Sequence, residues 1–235
     1  DADHLDFFKD IDDIRHSFRR FAELLPADGA LIINADTPKY EMVAENLPCK
    51  VITYGLEHDA EYTASDITYD EFGHPTFHVL HNGEDIGTCS LKVPGIHNVS
   101  NALASIAAGR LLGLDNEVIF AGLKDFGGTD RRFQYKGKVG EVTIIDDYAH
   151  HPTEIEATLH AAHNYPHKKI WCVFQPHTYT RTKALFPEFV EALSHTDHVI
   201  MADIYAARET NTYNISSKDL VNKIIAVSYT HLTLP

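Results

Sequence analysis

The feature that most constrains the fold is a unit that occurs three times in the second half of the chain. An apolar run ends in a cluster of polar residues and is followed by a helical pattern. VTIIDD precedes HPTEIEATLHAAHNY, KIWCVFQPH precedes TKALFPEFVEAL, and HVIMADIYA precedes SSKDLVNKI. Short strands that alternate with helices pair in parallel through right-handed crossovers. The pattern predicts a doubly wound parallel sheet from about residue 134 onward. Such sheets bind ligands outside the carboxyl ends of their strands. The polar clusters should therefore share one rim of one sheet. The first holds Asp146, Asp147, Tyr148, His150 and His151; the second Gln175, His177, Tyr179 and Arg181; the third Asp203, Tyr205, Arg208 and Glu209. Pro152 suits a first helical turn, which needs no amide hydrogen there. Ser216 or Ser217 suits an N-cap.

The first half is also α/β. Residues 11–25 place Ile14, Phe18, Phe21 and Leu25 on one helical face, and Pro26 and Gly29 stop that helix. ALIINAD (30–36) and VITYG (51–55) are buried strands that run into polar turns. Residues 61–93 alternate apolar and polar side chains, and Asn82-Gly83 is a hairpin signal. An antiparallel meander at the edge of the first sheet follows from this. Pro94-Gly95 ends it, and a helix runs from about Asn98 to Leu112 with Gly113 as its stop. NEVIFAGLKDF is a second, shorter helix, and FGGTDRRFQ a loop. The change of pattern divides the chain into domains at 1–133 and 134–235. The terminal AVSYTHLTLP continues neither helical nor strand periodicity, so the expectation is appended, non-native sequence from about residue 226.

Composition narrows the function. The formal charge of −14 argues against a protein that coats nucleic acid, which needs a basic face. It leaves room for a small anionic substrate met by local charge. No apolar run approaches the ~20 residues of a membrane span, and no basic start precedes an apolar signal segment. Cys49, Cys89 and Cys172 are scattered and odd in number, which points away from a disulfide framework and toward the reducing cytoplasm.

Four groups carry candidate chemistry. Asn98 and Asn101 lie three apart at a helix start, where two carboxamides either cap the helix or read a heterocycle edge. Asp3-His4-x-Asp6 is either a solvated turn or a set of magnesium ligands. Arg131-Arg132 either grips phosphate in bidentate fashion or forms an interdomain salt bridge. His160, His163 and His167 have near-helical spacing but no Cys or Glu partner at a zinc spacing, and are read as exposed helix residues.

In their order and spacing, DADHLDFF, PGIHNVSNALA, GGTDRRFQ, IIDDYAHHPTEI and FQPHTYTRT resemble the Mur ligases over residues 1 to about 225. The resemblance is closest to the branch that joins L-alanine to UDP-N-acetylmuramate. A related branch that recycles murein tripeptide is the alternative, as is a non-catalytic nucleotide-binding fragment. A metal-binding protein built on the histidines is a further reading. The resemblance implies part of a central ATP-binding α/β domain followed by a Rossmann-like, parallel-sheet C-terminal domain. It implies ATP and Mg²⁺ as cofactors, and UDP-N-acetylmuramate and L-alanine as substrates. Amide-bond formation would pass through an acyl phosphate, in cytoplasmic synthesis of a peptidoglycan precursor. His4 matches the family's magnesium-site histidine, and Asn98 and Asn101 its asparagines at the adenine. Arg132 matches an arginine near ribose and phosphates, and Asp147 an aspartate that helps hold the ribose. Tyr148, His150 and Arg181 match positions near the L-alanine and the lactoyl carboxylate, with His150 and Arg181 as the catalytic candidates. Thr178 stands where some members carry a second arginine. The family's first domain and its G-K-[ST] phosphate loop have no counterpart in these residues, so the chain alone is expected to be inactive.

Overall fold

The computed structural model describes residues 7–227 and 231–233. The chain divides into two compact units, Asp1–Gly128 and Thr129–Pro235.

In the first unit, α1 (Ile11–Ala22) leads to β1 (Ala30–Asn34), α2 (Glu41–Ala44) and β2 (Lys50–Tyr54). Then come β3 (Tyr62–Tyr69), β4 (Pro75–His81), β5 (Glu84–Ser90), α3 (Ile96–Leu111) and α4 (Asn116–Asp125). The strands form one sheet in the order β1-β2-β3-β4-β5. β1, β2 and β3 are parallel; β3, β4 and β5 form the expected antiparallel meander. Asn82 and Gly83 have φ of 51° and 82°, the left-handed pair that a two-residue hairpin needs to match strand twist. Val99, Leu103 and Ile106 of α3 are completely buried in one core with Ile52, Phe77, Val79 and Cys89. α3 ends as expected at Gly113, φ 80°, whose amide donates to the Arg110 carbonyl while that of Leu114 donates to Gly109. These two hydrogen bonds satisfy carbonyls that the helix end would otherwise leave open.

α1 differs from expectation. Only Ile14 and Ala22 are buried, whereas Phe18 and Phe21 are 59% and 72% exposed. Arg15 donates to the Pro38 carbonyl (3.0 Å) and Arg19 to that of Val43 (3.3 Å). These polar bonds turn the line of Ile14 and Ala22 inward, so periodicity identified the helix but not its buried face.

In the second unit, β6 (Gln134–Val139) and β7 (Val142–Asp146) precede α5 (Pro152–His163), β8 (Trp171–Phe174), α6 (Tyr179–Ala184) and α7 (Phe186–Leu193). β9 (His198–Met201), α8 (Ser217–Val227) and β10 (His231–Thr233) complete it. β10, β9 and β8 form a parallel sheet in that order. Here the expectation that three strand–helix units share one sheet is corrected. β7 pairs antiparallel with β6 in a separate two-stranded sheet. Gly140-Glu141 closes a two-residue turn between Val139 and Val142, and a short local closure costs less chain entropy than a crossover. α8 continues to Val227, and His231–Thr233 add a strand to β9. Ladder bonds are main-chain bonds, so an open strand edge accepts a segment of weak side-chain pattern. Phe174, Val199 and Met201 pack with Ile155 and Leu159 of α5, Phe189 and Leu193 of α7, and Leu220 and Ile224 of α8. Among the described residues no helix is long and apolar enough to cross a membrane.

Phe189 is fully buried in this second core. Phe189→Ala should cost about 3–5 kcal/mol. Urea unfolding followed by the fluorescence of Trp171, the chain's single tryptophan, reads this unit directly.

Candidate functional site

In the first unit, candidate residues gather where β1 ends and α3 begins. Asn34, the last residue of β1, donates from Nδ2 to Ser100 Oγ on α3 at 3.5 Å. Just beyond, the Asp36 carboxylate accepts from the amides of Leu56, Glu57 and His58, which follow β2, at 2.7, 3.0 and 3.0 Å. Burial would raise this carboxyl, but the Leu56 and Glu57 amides and the His58 side chain outweigh it and hold it below the usual range. Asn98 Nδ2 donates to the Pro94 carbonyl at 2.7 Å, and Asn101 Nδ2 donates to Asn98 Oδ1 at 3.3 Å. The two carboxamides therefore do share a face. Asn98 secures the turn before α3, and the exposed Asn101 is the outer member of the pair.

In the second unit the site begins at the end of β7. Asp147 Oδ2 accepts from the Phe133 amide and Oδ1 from that of Ala149, both at 2.7 Å. The Tyr148 amide donates to the Arg131 carbonyl at 2.8 Å. Together these bonds fold the arginine loop onto the strand end. The Arg131 guanidinium lies 4.6 Å over the Tyr148 ring and 4.0 Å from Asp146. Arg131 and Phe133 have φ of 60° and 45°, a conformation costly for residues with a side chain and held here by the bonds around it.

His150 and His151 lead into α5. His151 caps that helix by accepting from the Thr153 amide at 3.4 Å. Glu154 Oε2 accepts from the amides of His150 (3.0 Å) and His151 (3.2 Å), which completes a capping box. The His150 ring donates from Nδ1 to the Tyr148 carbonyl at 2.9 Å and lies 3.4 Å from Glu154. Arg132 lies 3.7 Å from the other oxygen of Glu154. Burial would raise Glu154, but the His150 and His151 amides, with Arg132 beside them, hold it below the usual range.

The three strand-end clusters do meet, although β7 lies in a different sheet. The ring centroids of His150 and His177 are 6.3 Å apart, and those of His177 and Tyr205 5.6 Å. Arg181 Nη1 donates to His177 Nδ1 at 3.3 Å. The Thr178 amide donates to the Tyr205 carbonyl, and the Thr180 amide to Glu209, both at 2.9 Å. Thr178 has φ of 65°, and its carbonyl is gripped by the Thr182 hydroxyl at 2.6 Å. Tyr148, His150 and Arg181 thus stand on one rim, and Arg132 joins it through Glu154. His160 and His163 lie elsewhere, toward the far end of α5, where His163 Nε2 donates to the His195 carbonyl at 2.8 Å and faces His167 with centroids 5.6 Å apart. His4 lies outside the described residues. Among the described residues no three metal-ligating side chains are grouped to hold a metal ion.

Glu154 has no role in the sequence reading. The glutamate of a capping box is a recognisable signal, but the box is normally opened by Ser or Thr, and here a histidine opens it.

Asp36 provides a pH test. Its folded-state pKa lies below that of the unfolded chain, so its contribution is complete above about pH 4 and is lost as pH falls through the folded value. Asp36→Asn should lower stability at neutral pH and make the acid-side decline shallower. Urea unfolding by circular dichroism at stepped pH measures both.

The chain matches the Mur ligase middle domain over residues 1–109 and the Mur ligase, glutamate ligase domain over residues 131–233. It is 60% identical over 223 residues to the UDP-N-acetylmuramate–L-alanine ligase of Lachnospira eligens, covering 94% of this chain and 49% of that protein. The chain spans about half the length of the curated relatives it matches. The crystal structure of UDP-N-acetylmuramate–alanine ligase from Thermotoga maritima superposes with a TM-score of 0.76 at 26% identity, over 99% of this chain and 49% of that one. A MurF ligase from Thermotoga maritima in complex with ADP shares the fold, with a TM-score of 0.73 at 19% identity over 99% of this chain and 50% of that one. With both domain families matched in order along its length, the chain belongs to the Mur ligases and carries their middle and C-terminal domains.

Proposed function

We propose that the chain supplies the nucleotide-side and amino-acid-side parts of an ATP-dependent ligase. The enzyme joins L-alanine to the lactoyl carboxylate of UDP-N-acetylmuramate through an acyl phosphate, in cytoplasmic synthesis of a peptidoglycan precursor. Asn98 and Asn101 hold the adenine, Arg132 the phosphate side and Asp147 the ribose. Tyr148, His150 and Arg181 serve the L-alanine and the lactoyl carboxylate. Mg²⁺ is the accompanying metal, with His4 as its histidine. The chain's two domains are residues 1–133 and 134–235. For these 235 residues alone we propose nucleotide binding without turnover, since they contain no G-K-T or G-K-S string.

The observation that carries the reading is the junction of the strand-end clusters through His150, His177 and Arg181. An amine must be neutral to attack an acyl group, so a proton acceptor must stand near it. His150 Nδ1 faces the Tyr148 carbonyl, an acceptor, and therefore carries the ring proton. That leaves Nε2 as the atom able to take a proton. Arg181 presents a planar fork suited to a carboxylate. The 60% identity to a relative named for this reaction gives independent support.

A ligase containing these residues should release phosphate only when ATP, Mg²⁺, UDP-N-acetylmuramate and L-alanine are all present. Equal release with murein tripeptide in place of L-alanine would favour the recycling branch and overturn the reading. His150→Ala should lower turnover by roughly 10²–10⁴-fold, the usual worth of a general acid–base group, and raise the KM for alanine. Steady-state kinetics measures both. Asn98→Ala should weaken ATP binding by about tenfold, one hydrogen bond's worth, as read by calorimetry on the 235-residue chain.

A further inference from the structure

Glu154 lies between two side chains of the candidate site. Its Oε2 takes the His150 and His151 amides and lies 3.4 Å from the His150 ring. Its Oε1 lies 3.7 Å from Arg132. The guanidinium and the imidazole come from different segments, one from the loop before β6 and one from the turn into α5. Arg131, the neighbouring guanidinium, is engaged by Asp146 and the Tyr148 ring instead. The amides fix the carboxylate in place, so it cannot follow either partner if that partner moves.

We propose that Glu154 is a positioning residue that couples Arg132 to His150: one fixed carboxylate is shared between them, and an anion taken by Arg132 leaves the carboxylate to His150. This rests on the assignment of Arg132 to the nucleotide and His150 to the amino-acid side. The Arg132 guanidinium beside the carboxylate offsets part of the negative field that the His150 ring would otherwise feel. Phosphate oxygens compete well for a guanidinium because both form bidentate bonds. Occupation of Arg132 then changes the electrostatic surroundings of the His150 ring without any backbone movement.

The test follows the His150 and His151 amide protons by NMR against pH, in the ¹⁵N-labelled 235-residue chain. Both amides should shift together as Glu154 titrates, with a midpoint below the ordinary glutamate range. Glu154→Gln should abolish this shared titration. Glutamine still offers an oxygen to the cap, so α5 is retained and its signals report loss of charge rather than unfolding. Arg132→Ala should move the midpoint upward, and so should saturating ATP on the unmodified chain. A helix cap with no coupling role would also feel the charge of Arg132, so the deciding readout is the His150 ring: saturating ATP should shift its Cε1–H signal in the unmodified chain and leave it in place in Glu154→Gln. An unmoved midpoint in Arg132→Ala, or an ATP-induced His150 shift that persists in Glu154→Gln, overturns the proposal. If Arg132→Ala moves the midpoint and ATP does not, the sharing stands and the assignment of Arg132 to the nucleotide is overturned.

Discussion

In each unit, the candidate residues are held by carboxylates that accept backbone amides at strand and helix ends. Asp36 gathers three amides from the loop after β2, Asp147 ties the arginine loop to the turn after β7, and Glu154 closes the start of α5. The Asp36 bonds and the Asp147–Phe133 bond join segments distant in sequence, and the others hold the turns themselves. A charged acceptor makes these bonds stronger than neutral ones, and each satisfies amides that would otherwise have no partner in a turn. The loops become nearly as well determined as the strands that carry them.

This anchoring lets the second unit hold strained backbone where chemistry is proposed. Arg131, Phe133 and Thr178 all adopt φ values that residues with side chains avoid. Each is fixed from outside: Phe133 by Asp147, Arg131 through the Tyr148 amide, Thr178 by Tyr205 and Thr182. Residues of this kind persist only where surrounding structure over-determines them, and they concentrate at functional sites. The buried layer of Phe174, Phe189, Leu193 and Met201 beneath the rim supplies the rigid base for that.

Much of the architecture was legible in the residues. The β–α alternation, the Asn82-Gly83 hairpin, the stop at Gly113 and the proline start of α5 are local signals, set by backbone preference over a few residues. The polar clusters at strand ends were legible for the same reason, since the rule that places ligands there depends only on strand direction. Two features were not. Phe18 and Phe21 read as the buried face of α1, yet Arg15 and Arg19 donate to the carbonyls of Pro38 and Val43 and another face packs inward. VTIID read as a strand of the parallel sheet, yet the adjacent KGKV segment captured it in a hairpin. In both cases the competing partner was a matter of pairing rather than of propensity.

By itself, then, the sequence determined the kinds of element, their order, and which side chains stand at the ends of strands. These follow from periodicity and turn chemistry, which act over short spans of chain. Only the tertiary structure decided that His150, His177 and Arg181 meet, although β7 and β8 are not neighbours in a sheet. Only the tertiary structure brought Arg132 and His150 to the same carboxylate, across more than twenty residues of hairpin and turn between Arg132 and Glu154. Such meetings depend on how segments distant in sequence pack, and no local rule of residue spacing encodes that distance.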